Sequence, residues 1–466
     1  MIADLKPYRA MKDSGVPWLG EVPEHWELRR TKALLKQRSQ KGFPDEPLLA
    51  ATQTKGVVRK EQYEHRTVLA QKDLHLLKLV CVGDFVISLR SFQGGIEYAR
   101  ERGIISPAYT VLYPKNRDTH RYLAWLFKSK PYIENLTLHV TGIREGQNID
   151  YEKLSRSRLP LPPLPEQAAI VRFLDHVDRR VRRYIRAKQK LIGLLEEQKQ
   201  AIIHRAVTRG LDPDVPLKPS GVEWLGDVPE HWRVVRAKLA FDCVDVRSNT
   251  GEEELLTVSS SDGVVPREGR NITMFKAASY VGHKLCWPED LVINSLWAWA
   301  NGLGFSDRHG IISTAYGVYR LRKPYRSLWR YLDLALRSGA YQWQLQVRSK
   351  GIWKSRLQLT DWSFLDMPLV LPPDAEGNAI CEFVQKDTGD LRQAISSARR
   401  EIDLVREYHT RLIADVVTGN LDVREVAANL PDEPLETEPL DEIDELVEES
   451  NALADHLDVV PEEDEQ

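Results

Sequence analysis

The chain has 466 residues, 42% of them hydrophobic, enough for about three units with real cores. Its four cysteines, Cys81, Cys243, Cys286 and Cys381, form no C-x-x-C pair, which argues against a zinc site or a disulfide framework and fits a reducing cytosol. The net charge of −3 hides an asymmetry: residues 431–466 hold 16 Asp or Glu and no Lys or Arg, which leaves 65 basic against 52 acidic residues in 1–430, an excess of 13 suited to a polyanionic partner.

Met1 to Ser14 has no apolar core, and no run of about 18 apolar residues follows anywhere, so neither a signal peptide nor a membrane span is expected. The first motif is Ser14-Gly-Val-Pro-Trp-Leu-Gly-Glu-Val-Pro-Glu-His-Trp26. His25, between Glu24 and Trp26, reads as part of a packed turn rather than as a catalyst. β-like runs follow at Phe85–Ile87 and Tyr109–Tyr113, and a short helix is predicted over His120–Lys130. From Ile170 the positions Ile170, Leu174, Val177, Val181, Tyr184, Lys188, Leu191, Leu195, Gln198 and Ile202 alternate steps of four and three. That is the seam of a long helix, begun near Pro165 and ended by Gly210 and Pro213, with two polar lapses.

The pattern then returns. Ser220–Trp232 repeats Ser14–Trp26 at an offset of 206, and Asp290–Ile293 repeats Asp84–Ile87 at the same offset. Gly103-Ile-Ile-Ser-Pro-Ala-Tyr109 returns as Gly310-Ile-Ile-Ser-Thr-Ala-Tyr316. Val207-Thr208 and Leu211-Asp212 return as Val417-Thr418 and Leu421-Asp422. The helix at 120–130 has its counterpart at Ser327–Ser338. A second seam runs through Leu391, Ile395, Ala398, Ile402, Val405, His409, Leu412 and Val416, with Gly389 a weakness near its start. The drifting offset is that of a duplication with small insertions.

The expected fold class is therefore α+β: two homologous mixed α/β domains separated by two long antiparallel coiled-coil helices, related by a pseudo-twofold internal repeat. The expected boundaries are 1–163 and 211–373 for the mixed domains, 164–210 and 374–425 for the helices, and 426–466 for an acidic, disordered tail.

No phosphate-cradling G-x-x-x-x-G-K-[ST], no Asn-Pro-Pro-Tyr, no G-x-S-x-G and no H-E-x-x-H occurs, so the sequence offers no catalytic centre. It does offer material for DNA contact. In Arg90–Arg102, glycines allow close backbone approach, and Arg90, Ser91, Gln93, Tyr98, Arg100 and Arg102 are candidate readers; Arg and Gln can bond guanine and adenine edges bidentately. The equivalent stretch of the second copy supplies Asn294, Trp297, Asn301 and Arg308, with Phe92 matching Trp299 and Gly95 matching Gly302. A second loop, Thr141–Asn148, carries Arg144 and Gln147; its counterpart, Ser349–Arg356, carries Lys350, Lys354 and Arg356, which suit phosphates.

These features resemble the specificity subunits of type I restriction–modification systems. The resemblance rests on Trp-Leu-Gly-x-Val-Pro-x-His-Trp at 18–26 and 224–232, with Glu223 before the second, on Leu159-Pro-Leu-Pro-Pro-Leu-Pro-Glu-Gln167 leading into a long helix, and on residues 103–109. The second copy departs at Pro372-Pro-Asp-Ala-Glu-Gly377 and at Thr314. The resemblance implies two target recognition domains, each reading half of a split, asymmetric double-stranded DNA site, with the helices fixing the gap. It implies a non-catalytic, cytoplasmic chain that binds no cofactor itself. Two modification subunits would bring S-adenosylmethionine chemistry, and restriction subunits with an ATP- and Mg2+-dependent motor would be further partners. The alternatives from other classes are a methyltransferase or nuclease with unrecognised motifs, and a coiled-coil scaffold.

Overall fold

Short runs of β-branched and aromatic residues between turn formers give two similar sets of antiparallel strands. The computed structural model describes residues 5–53, 55–62, 73–89, 91–141, 148–260, 262–268, 279–351 and 357–431. They divide into two units, one from residues up to 188 together with 400–431, the other from 189–399.

In the first unit, strand Phe85–Ile87 is wholly buried and pairs with Thr110–Pro114 on one side and Glu97–Tyr98 on the other; Leu35–Arg38 completes a four-stranded antiparallel sheet. Leu49–Thr52 with Gly56–Arg59, and Lys78–Val80 with Gly103–Ile105, form two further two-stranded sheets. Glu27–Arg30 pairs with Arg158–Leu161. The second unit repeats this strand for strand: Phe241–Cys243, Tyr316–Leu321, Asp290–Asn294 and Leu303–Phe305 form its sheet, and Arg233–Arg236 pairs with Pro368–Leu371. The repeated Gly-Ile-Ile-Ser motif has a steric cause. A Cβ at Gly103 would lie 2.3 Å from the Pro47 carbonyl oxygen, and one at Gly310 would lie 2.4 Å from that of Glu254.

The repeated Asp84 and Asp290 are buried at the start of the central strand. Each is met bidentately by an arginine, but from different strands: Arg38 at 2.6 and 3.0 Å, Arg320 at 2.7 and 2.7 Å. The preceding turn needs a left-handed residue. The first unit uses Gly83 at φ +88°, the second Glu289 at φ +71°, a strained choice for a side chain.

The first long helix spans Leu164–Arg209, 46 residues or roughly 69 Å. The second was expected unbroken over 374–425. It is instead two helices, Asp374–Asp387 and Gly389–Thr418, followed by a separate turn of helix at Arg424–Ala428. The break has two causes. The Thr388 hydroxyl donates to the Val384 carbonyl at 2.7 Å, and Gly389 holds helix weakly. The helices stop at Gly210 and Gly419, at φ +74° and +86°. Residues 426–430, placed with the tail by composition, belong to the packed unit: Val423, Ala427 and Leu430 are buried on one side of the last helix.

Antiparallel pairing is seen within each unit. In the first, Asp178 faces His409 at 3.6 Å, while Tyr184 and Lys188 both reach Glu401 at 2.7 Å, so the polar lapse at Lys188 is an ion pair. In the second, Glu196 faces Arg399 at 3.5 Å. Ile395, Ala398, Ile402, Leu412 and Val416 of the second seam are buried. In the first seam Tyr184 and Leu191 stay about 40% exposed. Among the described residues no helix is long and apolar enough to cross a membrane.

The opening motif of each unit clamps the helices to the strands. Glu166 is the third residue of the first long helix and is only 5% exposed. Its carboxylate accepts from Trp26 Nε1 at 2.8 Å and Tyr8 Oη at 2.5 Å, and His25 Nε2 lies 2.7 Å away. The other face of Trp26 covers the end of the second long helix, where a Cβ on Gly419 would lie 3.1 Å from the indole. In the second unit Glu376, third residue of Asp374–Asp387, accepts from Trp232 Nε1 at 3.0 Å with His231 at 2.7 Å, and Trp232 covers Gly210. The departure at 372–377 therefore keeps the one residue the motif needs. A buried tyrosine completes each joint: Tyr122 Oη lies 3.1 Å from the Val417 carbonyl, and Tyr331 Oη 2.9 Å from that of Val207.

Removing a buried acceptor strands its donors, a loss of about 1–3 kcal/mol. Glu166→Ala is expected to destabilise the first unit by the upper part of that range. Glu376→Ala should cost the second unit less, because its carboxylate is 25% exposed and serves two partners rather than three. Hydrogen exchange resolved by unit measures both; an equal or larger loss for Glu376→Ala refutes the ranking.

Candidate nucleic-acid interface

The candidate loops lie where the central strand of each sheet ends. In the first unit the chain leaves Ile87, forms a short helix Ser91–Gly94 and returns as Glu97–Tyr98. That helix packs on Lys130–Thr137 and beside Asn148–Ile149, the return strand of the second candidate loop. Pairing of Val140 with Ile149 and Thr141 with Asn148 closes that loop as a hairpin. In the second unit the turn Ala298–Ala300 packs on Gly339–Arg348, and the Leu359 amide donates to the Ser295 carbonyl at 2.8 Å. A bridge between Lys350 and Gln358 closes the other loop. Both units thus bring together two segments about 50 residues apart in sequence, a juxtaposition that the repeat pattern alone did not reveal.

Two glycines let the loops pack tightly at their bases. A Cβ at Gly95 would lie 2.4 Å from the Phe127 carbonyl oxygen, and one at Gly302 2.8 Å from that of Trp297. A cation missed by sequence reading braces the first loop from below, and its counterpart in the second unit reaches the turn after Leu256–Ser259. Lys128 donates to the Gln53 carbonyl at 2.9 Å, to the Gly94 carbonyl at 2.7 Å and to Glu97 at 2.7 Å. Its counterpart Arg337 donates to the Ser260 carbonyl at 2.9 Å. The signal was present as a repeat, Lys128-Ser129-x-x-Tyr132 and Arg337-Ser338-x-x-Tyr341, with both tyrosines fully buried.

The candidate readers separate into groups. Arg90, Arg144, Gln147, Lys354 and Arg356 lie outside the described residues. Gln93, Arg100, Arg102 and Lys350 are exposed, although Arg102 is held by Glu46 at 2.7 Å. Arg308 is bound by Asp307 at 2.8 Å and lies 3.6 Å from Glu254. Tyr98 is half-buried and stacks on His120 at 5.9 Å; burial pushes its hydroxyl above the ordinary value. Trp297 stacks on Trp299 at 5.4 Å and 27°, and Asn301 supplies the left-handed turn at φ +67°. Ser91 and Asn294 are corrections. Both are buried: Ser91 accepts from the Ser88 amide at 2.8 Å, and Asn294 donates to Tyr316 at 3.2 Å and accepts from the Leu296 amide. Their polarity shapes the loop from within.

Glu97 beside this brace carries a testable consequence. Burial pushes its carboxyl up from 4.5 to about 7 against the pull of Lys128, and its Oε2 has no hydrogen-bond partner among the described residues. A folded carboxyl that titrates near 7 keeps a proton the unfolded chain has already lost, so this group's contribution to stability falls as pH rises from about 4.5 to about 7. The first unit of Glu97→Gln should gain on wild type across that window and hold its advantage above it. Unfolding measured at pH 4.5, 6 and 8 decides: a variant that loses at pH 8 means the Lys128 ion pair outweighs burial.

Residues 23–192 match the family described as type I restriction modification DNA specificity domain. A putative type I restriction enzyme MjaX specificity subunit of Methanocaldococcus jannaschii is 27% identical over 244 residues, 47% of this chain and 53% of that protein. The type I restriction enzyme MjaVIII specificity subunit of the same organism is 25% identical over 232 residues, 49% and 51% of the two chains. The chain spans about half the length of the curated relatives it matches. A solved structure described under the structural basis of complex assembly and conformational transition of the type I R-M system shares the fold, with TM-score 0.56 and 16% identity over 86% of this chain and 99% of that one. The family match covers residues 23–192, a little over a third of the chain.

Proposed function

We propose that this chain is the DNA-recognition subunit of a type I restriction–modification complex and catalyses nothing itself. The observation that carries the reading is the pair of equivalent loop clusters on a repeated frame, one of them inside the matched family domain. Each cluster reads one half of a bipartite, asymmetric double-stranded site, since the frame repeats while the exposed side chains differ. Gln93 and Arg100 are the described base-reading candidates of the first unit; Trp297, Asn301 and Lys350 serve the second, with Lys350 on phosphate. The long helices set the gap between half-sites. Their exposed apolar side chains, among them Tyr184, Leu191, Leu404 and Tyr408, are docking points for two modification subunits. S-adenosylmethionine, ATP and Mg2+ belong to those subunits and to restriction subunits, in the cytoplasm.

Exchange of residues 41–150 for the same stretch of another family member, followed by mapping of methylated sites in cells that carry the modification subunits, tests the reading. One half-site should change and the other stay. If both change together, the assignment of one unit to one half-site fails; if the purified chain alone methylates or cuts DNA, the non-catalytic reading fails.

The helices allow a second test. Seven residues keep the seam in register and lengthen a helix by about 10 Å, up to roughly three base pairs of DNA. Matched seven-residue insertions after Lys190 and after Arg400 should preserve both half-site sequences and widen the gap. A two-residue insertion turns the seam by about 200° and should abolish assembly. An unchanged gap in an active seven-residue variant means that the helices are not the ruler.

A further inference from the structure

A cavity of about 530 Å³ opens on the first unit between the start of the first long helix and the last turn of the described chain. Arg121, Arg172 and Arg179 line it together with Asp118 and Asp175, over an apolar wall that includes Leu164 and Val171. Arg121 is held by Asp175 at 2.6 Å. Leu430 and Pro431 form part of the lining, and Arg172 Nη2 donates to the Leu430 carbonyl at 2.6 Å. That bond pins the chain at the cavity two residues before Asp432. The chain continues as Asp432-Glu-Pro-Leu-Glu-Thr-Glu438, four carboxylates around one leucine. From the cavity-lining Arg179 onward the same helix carries five arginines among the eight residues 179–186.

We propose that the acidic tail docks in cis on this cavity, with residues 432–438 as its occupant. Three considerations converge. The chain is delivered to the cavity by a fixed bond, so the tail meets it at the high effective concentration of a short tether. Seven extended residues reach about 24 Å, ample to cross a cavity of this volume. The tail has no Lys or Arg through residue 466, whereas the cavity and the helix that leads from it are rich in arginine. Carboxylates would meet guanidinium groups while Leu435 meets the apolar wall. A docked tail shields these arginines from any other polyanion, DNA included, in a manner that weakens with salt.

Hydrogen exchange on the full chain at low salt, without DNA, tests this. Amides of residues 432–438 should exchange at least fivefold more slowly than in a free peptide of the same sequence. Two variants should return them to the peptide rate: Arg172→Gln with Arg179→Gln, and, in the tail itself, Glu433→Gln with Glu436→Gln and Glu438→Gln. The tail variant leaves the packed unit untouched, so its result does not depend on how well the cavity tolerates substitution. Peptide-like exchange in the wild type overturns the proposal, as does protection that survives the tail variant. Protection that grows with protein concentration assigns the tail to a second copy and overturns docking in cis.

Discussion

Everything in this fold depends on a carboxylate at the start of a helix held by an indole and an imidazole. Glu166 and Glu376 occupy the first turn, where amides are unpaired and negative charge is favoured. Each is also the acceptor for a His-Trp pair from the opening motif of its unit. The tryptophan that donates is wedged on the glycine that ends the other helix. One side chain thus joins the start of a helix, the end of a helix and the first strands. In each unit the two helices must run antiparallel, because the clamp takes the beginning of one and the end of the other.

Given that joint, the frame can stay constant while details change. The buried aspartate at the head of the central strand is invariant between units, but its arginine comes from the edge strand in one and from the neighbouring inner strand in the other. The cation that reaches the turn after Leu49–Thr52 is a lysine, and the one that reaches the matching turn after Leu256–Ser259 is an arginine. What the frame demands is a cation within reach of a buried charge or a carbonyl. The strand that supplies it is free to vary.

That freedom explains what could be read from sequence. The repeat, the buried strand at 85–87, the long helix and the loop glycines were legible because they are local: period, turn chemistry and spacing report them directly. The clamp was not, because His25 and Glu166 are 141 residues apart, and only their common repetition linked them. The divergent segment at 372–377 looked like a weakened helix start, yet its Glu376 is the residue that matters. Ser91 and Asn294 were read as outward contacts because polarity alone cannot distinguish a side chain that bonds a base from one that bonds the loop. The broken second helix was half legible: Gly389 marked the place, but the Thr388 hydroxyl back-bond acts with it.

The two clamps differ for a reason rooted in connectivity. In the second unit the backbone runs without interruption from the end of the first long helix into the opening motif, through Gly210 to Leu217. In the first unit the corresponding joint is made by two separate stretches, Leu5–Asp13 and Gly419–Leu430. There the Asp422 amide donates to the Lys6 carbonyl at 2.8 Å, and the Arg424 guanidinium sits 5.2 Å over the Tyr8 ring. Tyr8 then bonds Glu166, and burial together with that carboxylate pushes its hydroxyl well above the ordinary range, so it remains a donor. Asp214 stands at the matching position of the second unit, where no third donor to Glu376 is found among the described residues. The extra donor, the deeper burial of Glu166 and the stacked arginine are what a joint without a covalent link requires. The first unit holds by non-covalent bonds between two stretches what the second holds through one continuous backbone.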